Sequence, residues 1–228
     1  MKMKHIKILS LILIGLITLN CESKNSKNNT EDIQELQNVS EVQITKEDPN
    51  LDQYETAYFA SGCFWCVEAI FESVKGIQEV VSGYSGGNQP NPNYEKVSSG
   101  TTDYAEAVKI YYDPKVISFN DLVIIFFGSH DPTTLNRQGP DFGTQYRSIA
   151  FYKNDSEKKI IQNYINLLEK ERIFSKPITT EVKKFTKFYP AEAYHQNYES
   201  LHPDNSYIQN VSIPRIKKFK NKFPNYLK

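Results

Sequence analysis

The residues whose types could do chemistry most directly are two cysteines, Cys63 and Cys66. They lie where a predicted strand, residues 55–60, passes into a helical pattern of apolar residues that ends at Gly76. Unpaired backbone N–H groups and the positive end of the helix dipole favour an anion at such a position. We therefore expect the Cys63 thiolate to be stabilised, its pKa to be lowered and its sulfur to act as a nucleophile.

Cys66 follows Cys63 by one helical turn, close enough for a disulfide, so it could resolve an oxidised Cys63. The pair is also compatible with an inert structural disulfide in a binding domain, or with the dithiol of a thioredoxin-like oxidoreductase. A closed zinc site is disfavoured, because it requires four ligands and no second cysteine pair follows. Phe64 and Trp65, between the two cysteines, are too bulky for a thioredoxin-like pair and favour the wall of an apolar pocket.

A second chemical group lies on the clearest predicted strand, residues 105–112. Glu106 alternates onto the same face as Val108 and Ile110, which are apolar. Burial disfavours the charged form of a carboxyl, so we expect the pKa of Glu106 to be raised toward neutrality. Glu106 then becomes a candidate proton donor. The alternative is a solvated or Lys-paired glutamate, the common fate of an isolated Glu.

The composition describes a single folded domain of ordinary charge. With 228 residues and 39% hydrophobic content the chain can bury one substantial core, and a formal net charge of zero gives no indication of a nucleic-acid binder. Strands and helices interleave with both short turns and long crossovers. This order predicts an α+β two-layer sandwich, a mixed β-sheet with helices packed on it.

The remaining elements are predicted from periodicity and caps. Further strands are expected over 77–84, 148–152 and 179–185, and 88–100 is expected to be a long polar loop. Ser118 and Asp121 resemble a capping box that opens a helix reaching about Ser129, and Asp155 is expected to cap a long helix. The loop that reaches Tyr146 is expected to be ordered over the site, and 214–228 to form a closing amphipathic helix.

The sequence pattern of the N-terminal region predicts an export signal. Lys2, Lys4 and Lys7 precede an apolar run over 8–19, and Cys21 follows it in a setting that resembles a lipobox. We expect a signal peptide over 1–21. Lipid attachment at Cys21, with an anchor in the membrane of the bacterial cell envelope, is favoured over the alternative of simple secretion. Residues 22–50 are polar without a period, so a disordered tether is predicted before the catalytic domain at 51–228.

Five motifs in this order resemble those of the A-type peptide-methionine sulfoxide reductases. They are residues 62–65, Tyr94 before 99–100, residues 105–108, residues 143–148, and the stretch from Tyr189 to 195–196. The resemblance extends from about 58 to 198. It implies the family's α+β sandwich, with the nucleophile at the N-terminus of the first helix.

The resemblance also implies roles for individual residues. Cys63 resembles the nucleophile that attacks a sulfoxide sulfur, and Phe64 and Trp65 resemble the walls that hold the substrate methyl group. Glu106 resembles the acid that protonates the sulfoxide oxygen.

Two phenols and a carboxylate complete the implied site. Tyr94 and Tyr146 match the hydroxyls that hydrogen-bond the sulfoxide oxygen, and Asp141 matches a carboxylate that organises them. The implied substrate is methionine S-sulfoxide, free or in proteins, with no cofactor or metal.

Turnover then requires a second thiol and an outside reductant. No cysteine follows Cys66, so Cys66 itself or an external thiol must resolve the Cys63 sulfenic acid. A thioredoxin-like dithiol is the implied partner. Tyr104 stands where the family commonly has His, so any role of that His is not carried over.

Overall fold

The computed structural model describes residues 51–228. The predicted signal peptide over 1–21, the lipid attachment at Cys21 and the tether over 22–50 therefore lie outside the described residues. Within 51–228, no helix combines the length and the apolar content that crossing a membrane would require.

A six-stranded mixed sheet forms the centre of the domain. Its order is β7-β6-β1-β3-β2-β8, and every neighbouring pair is antiparallel except β6 and β7. Two short strands, β4 and β5, form a separate antiparallel hairpin. The strands are β1 (Glu55–Ser61), β2 (Ile77–Ser85), β3 (Ala105–Tyr112), β4 (Arg137–Gln138), β5 (Asp141–Phe142), β6 (Ser148–Tyr152), β7 (Glu181–Lys184) and β8 (Phe188–Pro190).

Residues 51–228 also contain six α-helices. They are α1 (Phe64–Glu72), α2 (Tyr94–Ser98), α3 (Phe119–Gly128), α4 (Asp155–Lys170), α5 (Tyr198–Leu201) and α6 (Ile213–Lys222), the last preceded by a π-helical turn over Ile208–Ser212. The α+β sandwich predicted from the sequence is confirmed.

Alternation along β3 divides the interior into two layers. Val108 and Ile110 lie in the main core with the helices, whereas Ala105 and Ala107 lie in a smaller cluster on the opposite face of the sheet. Glu106 is on the helix side, as the alternation predicted, so its carboxyl is carried into the interior by the strand itself.

Side-chain caps begin three of the six α-helices described in residues 51–228, namely α2, α3 and α4. The predicted capping box of α3 is present, with the Ser118 side chain accepting from the Asp121 N–H and the Asp121 carboxylate accepting from the Ser118 N–H. The predicted cap of α4 was wrong by one residue, because Asn154 and not Asp155 accepts from the Glu157 N–H. An Asn one position earlier satisfies the same orphan donor.

Two elements were not predicted. The loop expected over 88–100 contains α2, which begins where the Asn93 side chain accepts from the Lys96 N–H. The segment after 187 pairs with β2 as β8, with Gly83 opposite Pro190. Both elements are short, so neither carries enough periodicity to be visible in sequence.

Candidate active site

The turn from β1 into α1 positions Cys63. Gly62 has φ +91°, a conformation that residues with side chains rarely adopt. A Cβ at this position would also lie within 2.6 Å of the Gln138 Cβ, so there is no room for a side chain and glycine is required. Cys63 is then the N-cap of α1, as predicted. Its side chain is 6% exposed.

Cys63 opens into a cavity of about 380 Å³. The cavity brings together every residue for which a nucleophilic, acid, phenolic, carboxylate or apolar-wall role was expected. The lining residues are Cys63, Phe64, Trp65, Tyr94, Glu106, Asp141, Tyr146, Asn205, Ser206 and Tyr207. Cys66 is absent from this lining and is fully buried behind it.

Glu106 is a buried acid at the wall of the cavity. Its carboxyl is 2% exposed and its Oε2 accepts a hydrogen bond from the Phe64 N–H at 3.0 Å, directly beside Cys63. Burial raises the pKa of Glu106 to about 8, and the negative charge of Asp141 adds to the increase. The raised pKa predicted for Glu106 is confirmed. At neutral pH the group is a carboxylic acid that can donate a proton.

The lowered pKa predicted for Cys63 is wrong in the resting protein. Burial raises the pKa of Cys63 well above its ordinary value, and the hydrogen bond and charge of Cys66 raise it further. The hydrogen bond from Cys63 instead lowers the pKa of Cys66 to about 6, assisted by the charge of Arg215. The cost of desolvating a Cys63 thiolate therefore outweighs the stabilisation that the N-terminus of α1 would give it. Cys66 carries the negative charge of the pair instead.

Tyr94 and Tyr146 supply hydroxyl donors to the cavity. Burial raises the pKa of both phenols, and the charges of Glu106 and Cys63 raise them further. Both therefore keep their protons at neutral pH, as hydrogen-bond donors must. Gln145 helps hold this wall together, because its side-chain amide donates to the Ser98 carbonyl at the end of α2 at 2.9 Å.

Asp141 is organised by a residue that the sequence reasoning missed. The Tyr207 hydroxyl donates to Asp141 Oδ2 at 2.6 Å and lies 3.9 Å from the Cys66 Sγ. Burial raises the pKa of Asp141, and the Tyr207 hydrogen bond opposes that shift. The only sequence signal for Tyr207 was the preceding turn, in which Asn205 Oδ1 accepts from the Tyr207 N–H at 2.9 Å.

The indole of Trp65 is fixed from two sides by the C-terminal part of the chain. Its Nε1–H donates to His195 Nδ1 at 3.2 Å, and its ring stacks on Tyr198 with centroids 3.8 Å apart. Burial lowers the pKa of His195 to about 4, so the imidazole is neutral and free to accept this bond. The apolar wall predicted for Trp65 is therefore held rigidly.

Glu192 is a second supporting residue that was missed. Its Oε1 accepts from the Tyr94 N–H at 2.9 Å, and its Oε2 accepts from the Tyr84 hydroxyl at 2.8 Å. The carboxylate thereby joins the start of α2 to β2. Sequence alone offered only its position within the closing motif.

Tyr104 does not line the cavity. Its hydroxyl donates to the Gln89 carbonyl at 2.6 Å, and its ring meets Tyr189 edge-on at 5.7 Å.

Among residues 51–228, no cluster of three or more His, Cys, Asp or Glu side chains is arranged to hold a metal ion. A cysteine that shares a cavity with a buried acid, two phenols and two aromatic rings is the arrangement expected of a cysteine-dependent oxidoreductase.

Comparison with known proteins agrees with this class. The family model for peptide methionine sulfoxide reductase matches residues 55–227. The peptide methionine sulfoxide reductase MsrA of Nitratiruptor sp. is 51% identical over 173 residues, which cover 76% of this chain and 98% of that protein. The MsrA of Polynucleobacter asymbioticus is 48% identical over 176 residues, 77% of this chain and 93% of that protein.

Solved structures give the same result. Reduced Mxr1 from Saccharomyces cerevisiae superposes with a TM-score of 0.64 at 34% identity, covering 72% of this chain and 92% of that one. Methionine sulfoxide reductase A of Corynebacterium diphtheriae gives 0.60 at 33% identity, with 66% and 76% covered. The chain therefore belongs to the peptide methionine sulfoxide reductase family. The resemblance seen in the sequence is confirmed, and the protein is an enzyme of this family.

Proposed function

We propose that the protein reduces the S epimer of methionine sulfoxide, free or within proteins, through a sulfenic acid on Cys63 that Cys66 resolves. Family membership and fold support the reduction of methionine sulfoxide. The observation that carries the mechanism is that Cys63 and the protonated Glu106 line one cavity beside two phenols.

The first step transfers oxygen from the substrate sulfur to Cys63. Phe64 and Trp65 take the methyl group, while Tyr94 and Tyr146 donate hydrogen bonds to the sulfoxide oxygen. Proton donation from Glu106 to that oxygen leaves positive charge on the substrate sulfur, and a cation at that point lowers the pKa of the adjacent thiol. The substrate thus creates the thiolate that the resting enzyme lacks.

Atoms balance in this step without a cofactor. The Cys63 sulfur forms a bond to the substrate sulfur. The substrate S–O bond then breaks as the hydroxyl passes to the Cys63 sulfur, the new S–S bond breaks, and its electron pair leaves with methionine as the thioether. The thiol proton of Cys63 restores the proton that Glu106 gave up. Cys63 ends as a sulfenic acid, having lost the two electrons that methionine gains.

Resolution is local. The Cys66 thiolate attacks the Cys63 sulfenic sulfur, the S–S bond forms, and the oxygen leaves as hydroxide that takes up a proton to become water. An external dithiol of the thioredoxin type then returns the pair to its reduced state. The position of Cys63 in an open cavity beside a buried acid favours this sequence over a structural disulfide, which needs neither.

The thioredoxin-like alternative is weakened by the same site. A general dithiol oxidoreductase exchanges thiols without removing an oxygen atom, so it does not require a protonated carboxyl beside its reactive cysteine. Here Glu106 occupies that place at 3.0 Å from the Phe64 nitrogen. The acid fits the removal of oxygen, which requires protonation before it can leave.

The decisive experiment is a reduction assay with separated epimers. The full domain is incubated with dithiothreitol and either the S or the R epimer of a methionine sulfoxide peptide, and methionine is measured by chromatography. We expect product from the S epimer only, and no product in the matched Cys63→Ser variant. Absence of product from the S epimer would refute the proposal.

The resolving role is tested separately. Cys66→Ser should release one equivalent of methionine per enzyme and accumulate sulfenic acid, detected with dimedone, but should lose steady-state turnover with thioredoxin. Steady-state rates equal to those of the wild-type enzyme would exclude Cys66 as the resolving thiol.

We also propose that the enzyme is exported, lipidated at Cys21 and attached to the cell-envelope membrane, where it repairs oxidised proteins. The basic, apolar and Cys sequence of residues 1–21 supports this assignment. Metabolic labelling with a palmitate analogue should mark the wild-type protein in the membrane fraction and not the Cys21→Ala variant. Equal labelling of both, or of neither, would contradict lipidation at this residue.

A further inference from the structure

The two sulfurs of the active site differ in access. Cys63 is 6% exposed and lines the open cavity, whereas Cys66 is 0% exposed and does not line it. Substrate and reductant must both bring an atom into contact with one of these sulfurs. Only the Cys63 sulfur can be reached from solvent without moving α1.

The hidden sulfur lies near two groups that stabilise negative charge, Ser212 and Arg215. The Tyr207 hydroxyl is also 3.9 Å from Cys66 Sγ, but it donates its proton to Asp141. The Ser212 hydroxyl is fully buried and has no hydrogen bond of good geometry within residues 51–228, yet it lies close enough to help lower the pKa of Cys66. A buried hydroxyl without a partner is costly, and a neighbouring thiolate is an acceptor that would satisfy it.

Arg215 provides the cation on this side of the pair. Its Nη2 donates to the Ser61 carbonyl at 2.9 Å and its Nε to the Ser129 carbonyl at 3.0 Å, so its guanidinium is fixed beside the turn that carries the cysteines. Its charge lowers the pKa of Cys66. Ser212 and Arg215 both belong to the junction that opens α6.

We propose that the external dithiol attacks Cys63 through the substrate cavity and that Cys66 is the leaving thiolate, stabilised by Ser212 and Arg215. This inference rests on the proposed function and specifies how its reductant acts. Substrate and reductant therefore use the same entrance. Ser212 and Arg215 are positioning residues for the regeneration step, because they act through Cys66.

The exchange balances as two displacements. A reductant thiolate forms a bond to the Cys63 sulfur, the Cys63–Cys66 bond breaks, and its electron pair passes to Cys66. The second thiol of the reductant then displaces Cys63, which takes up a proton, and the reductant leaves as a disulfide. Because a stabilised thiolate is the better leaving group, attack on Cys63 with departure of Cys66 is faster than attack on Cys66 with departure of Cys63.

The attacked sulfur can be identified by trapping the mixed disulfide. The full-length protein is oxidised with diamide, which makes the test independent of sulfoxide reduction, and then mixed with a thioredoxin whose second active-site cysteine is serine. Acid quenching, N-ethylmaleimide blocking and pepsin cleavage separate the peptides of the two cysteines. We expect thioredoxin on Cys63 and N-ethylmaleimide on Cys66. An adduct on Cys66, or none on Cys63, would overturn the proposal.

The positioning residues are tested by variants that remove one interaction each. Ser212→Ala and Arg215→Gln should each slow the reduction of the disulfide by thioredoxin about fivefold to tenfold, and Arg215→Lys should restore most of the rate. In a Cys63→Ser background, the same variants should move the pH midpoint of thiolate absorbance at Cys66 upward. Lys218→Gln, an exposed change on the same helix, is the matched control. Unchanged rates and midpoints in both Ser212→Ala and Arg215→Gln would overturn the assignment.

Discussion

Two regions meet at the cavity and contribute different things. The reactive unit, which comprises β1, α1 and β3, supplies Cys63 and Glu106. The C-terminal segment, residues 191–215, supplies Glu192, His195 and Tyr207, which touch the reacting groups or their neighbours without themselves changing covalently. The side chains proposed to react thus lie on rigid local elements, and residues from a distant part of the chain align them.

This division predicts that changes in the reactive unit affect the chemical step most strongly. Glu106→Gln should lower the single-turnover rate by about 10²–10⁴-fold, because the amide keeps the hydrogen bond from the Phe64 N–H but cannot donate an acidic proton. The rate is measured by rapid quench with excess enzyme, and circular dichroism checks the fold. Glu68→Gln, a buried carboxyl outside the cavity lining, is the matched control and should react at the wild-type rate. An unchanged rate in Glu106→Gln would remove the acid from the mechanism.

The burial of Glu106 should also make the stability of the folded protein depend on pH. The folded-state pKa of Glu106 is about 8, above its ordinary value of 4.5, so the folded protein binds a proton that the unfolded chain has released between these values. The stability advantage of wild type over Glu106→Gln is therefore fully present below pH 4.5 and is lost as the pH rises through 8. We expect this difference in unfolding free energy, from urea titrations, to fall by about 3 kcal/mol between pH 5 and pH 8. A difference independent of pH would place the carboxyl in a solvated setting.

Changes in the C-terminal segment should have smaller effects. Glu192→Ala leaves the Tyr94 N–H and the Tyr84 hydroxyl without an acceptor, which loosens the start of α2. We expect kcat/KM to fall about tenfold, a cost of about 1.4 kcal/mol, and Glu192→Gln to recover most of it, since an amide can serve both partners. If the Ala and Gln variants behave alike, the carboxylate does not align Tyr94.

The smallest effect is expected at the apolar wall. His195→Leu removes the acceptor of the Trp65 indole N–H, so KM for a methionine sulfoxide peptide should rise about threefold to fivefold while kcat changes little. His195→Gln, which retains an acceptor, is the control. Because the pKa of His195 is lowered to about 4, wild-type KM should show no step near pH 6.5. A loss confined to kcat would assign His195 to the chemical step instead.

The same contrast explains what could be predicted from sequence. Cys63 was located by a strand ending, a glycine and a helical pattern, and Glu106 by alternation along β3, all within a few neighbouring residues. Tyr207 and Glu192 were not located, because their partners Asp141 and Tyr94 are 66 and 98 residues away. Nothing in local spacing encodes a hydrogen bond over that distance.

The pKa of Cys63 shows a second limit of sequence reasoning. A helix start favours a thiolate, and that part of the inference was sound as local physics. The pKa of Cys63 is nevertheless raised in the folded site, because burial and the neighbouring Cys66 have larger effects than the helix start. The pKa of Cys66 is lowered chiefly by the hydrogen bond from Cys63, and Arg215 and Ser212, which come from the far end of the chain, lower it further.

The spacing of the two cysteines has a consequence for motion during the cycle. In the proposed resolution the oxidised Cys63 sulfur meets Cys66 one turn along the same helix, so bond formation would need only an adjustment of α1. No tail has to leave its packing to deliver a thiol, and α6 can keep Ile216 and Phe219 in the core throughout. Amide hydrogen exchange of α6 should then be the same in the oxidised and reduced proteins, and the short-lived sulfenic acid should largely escape peroxide damage to the irreversible sulfinic form.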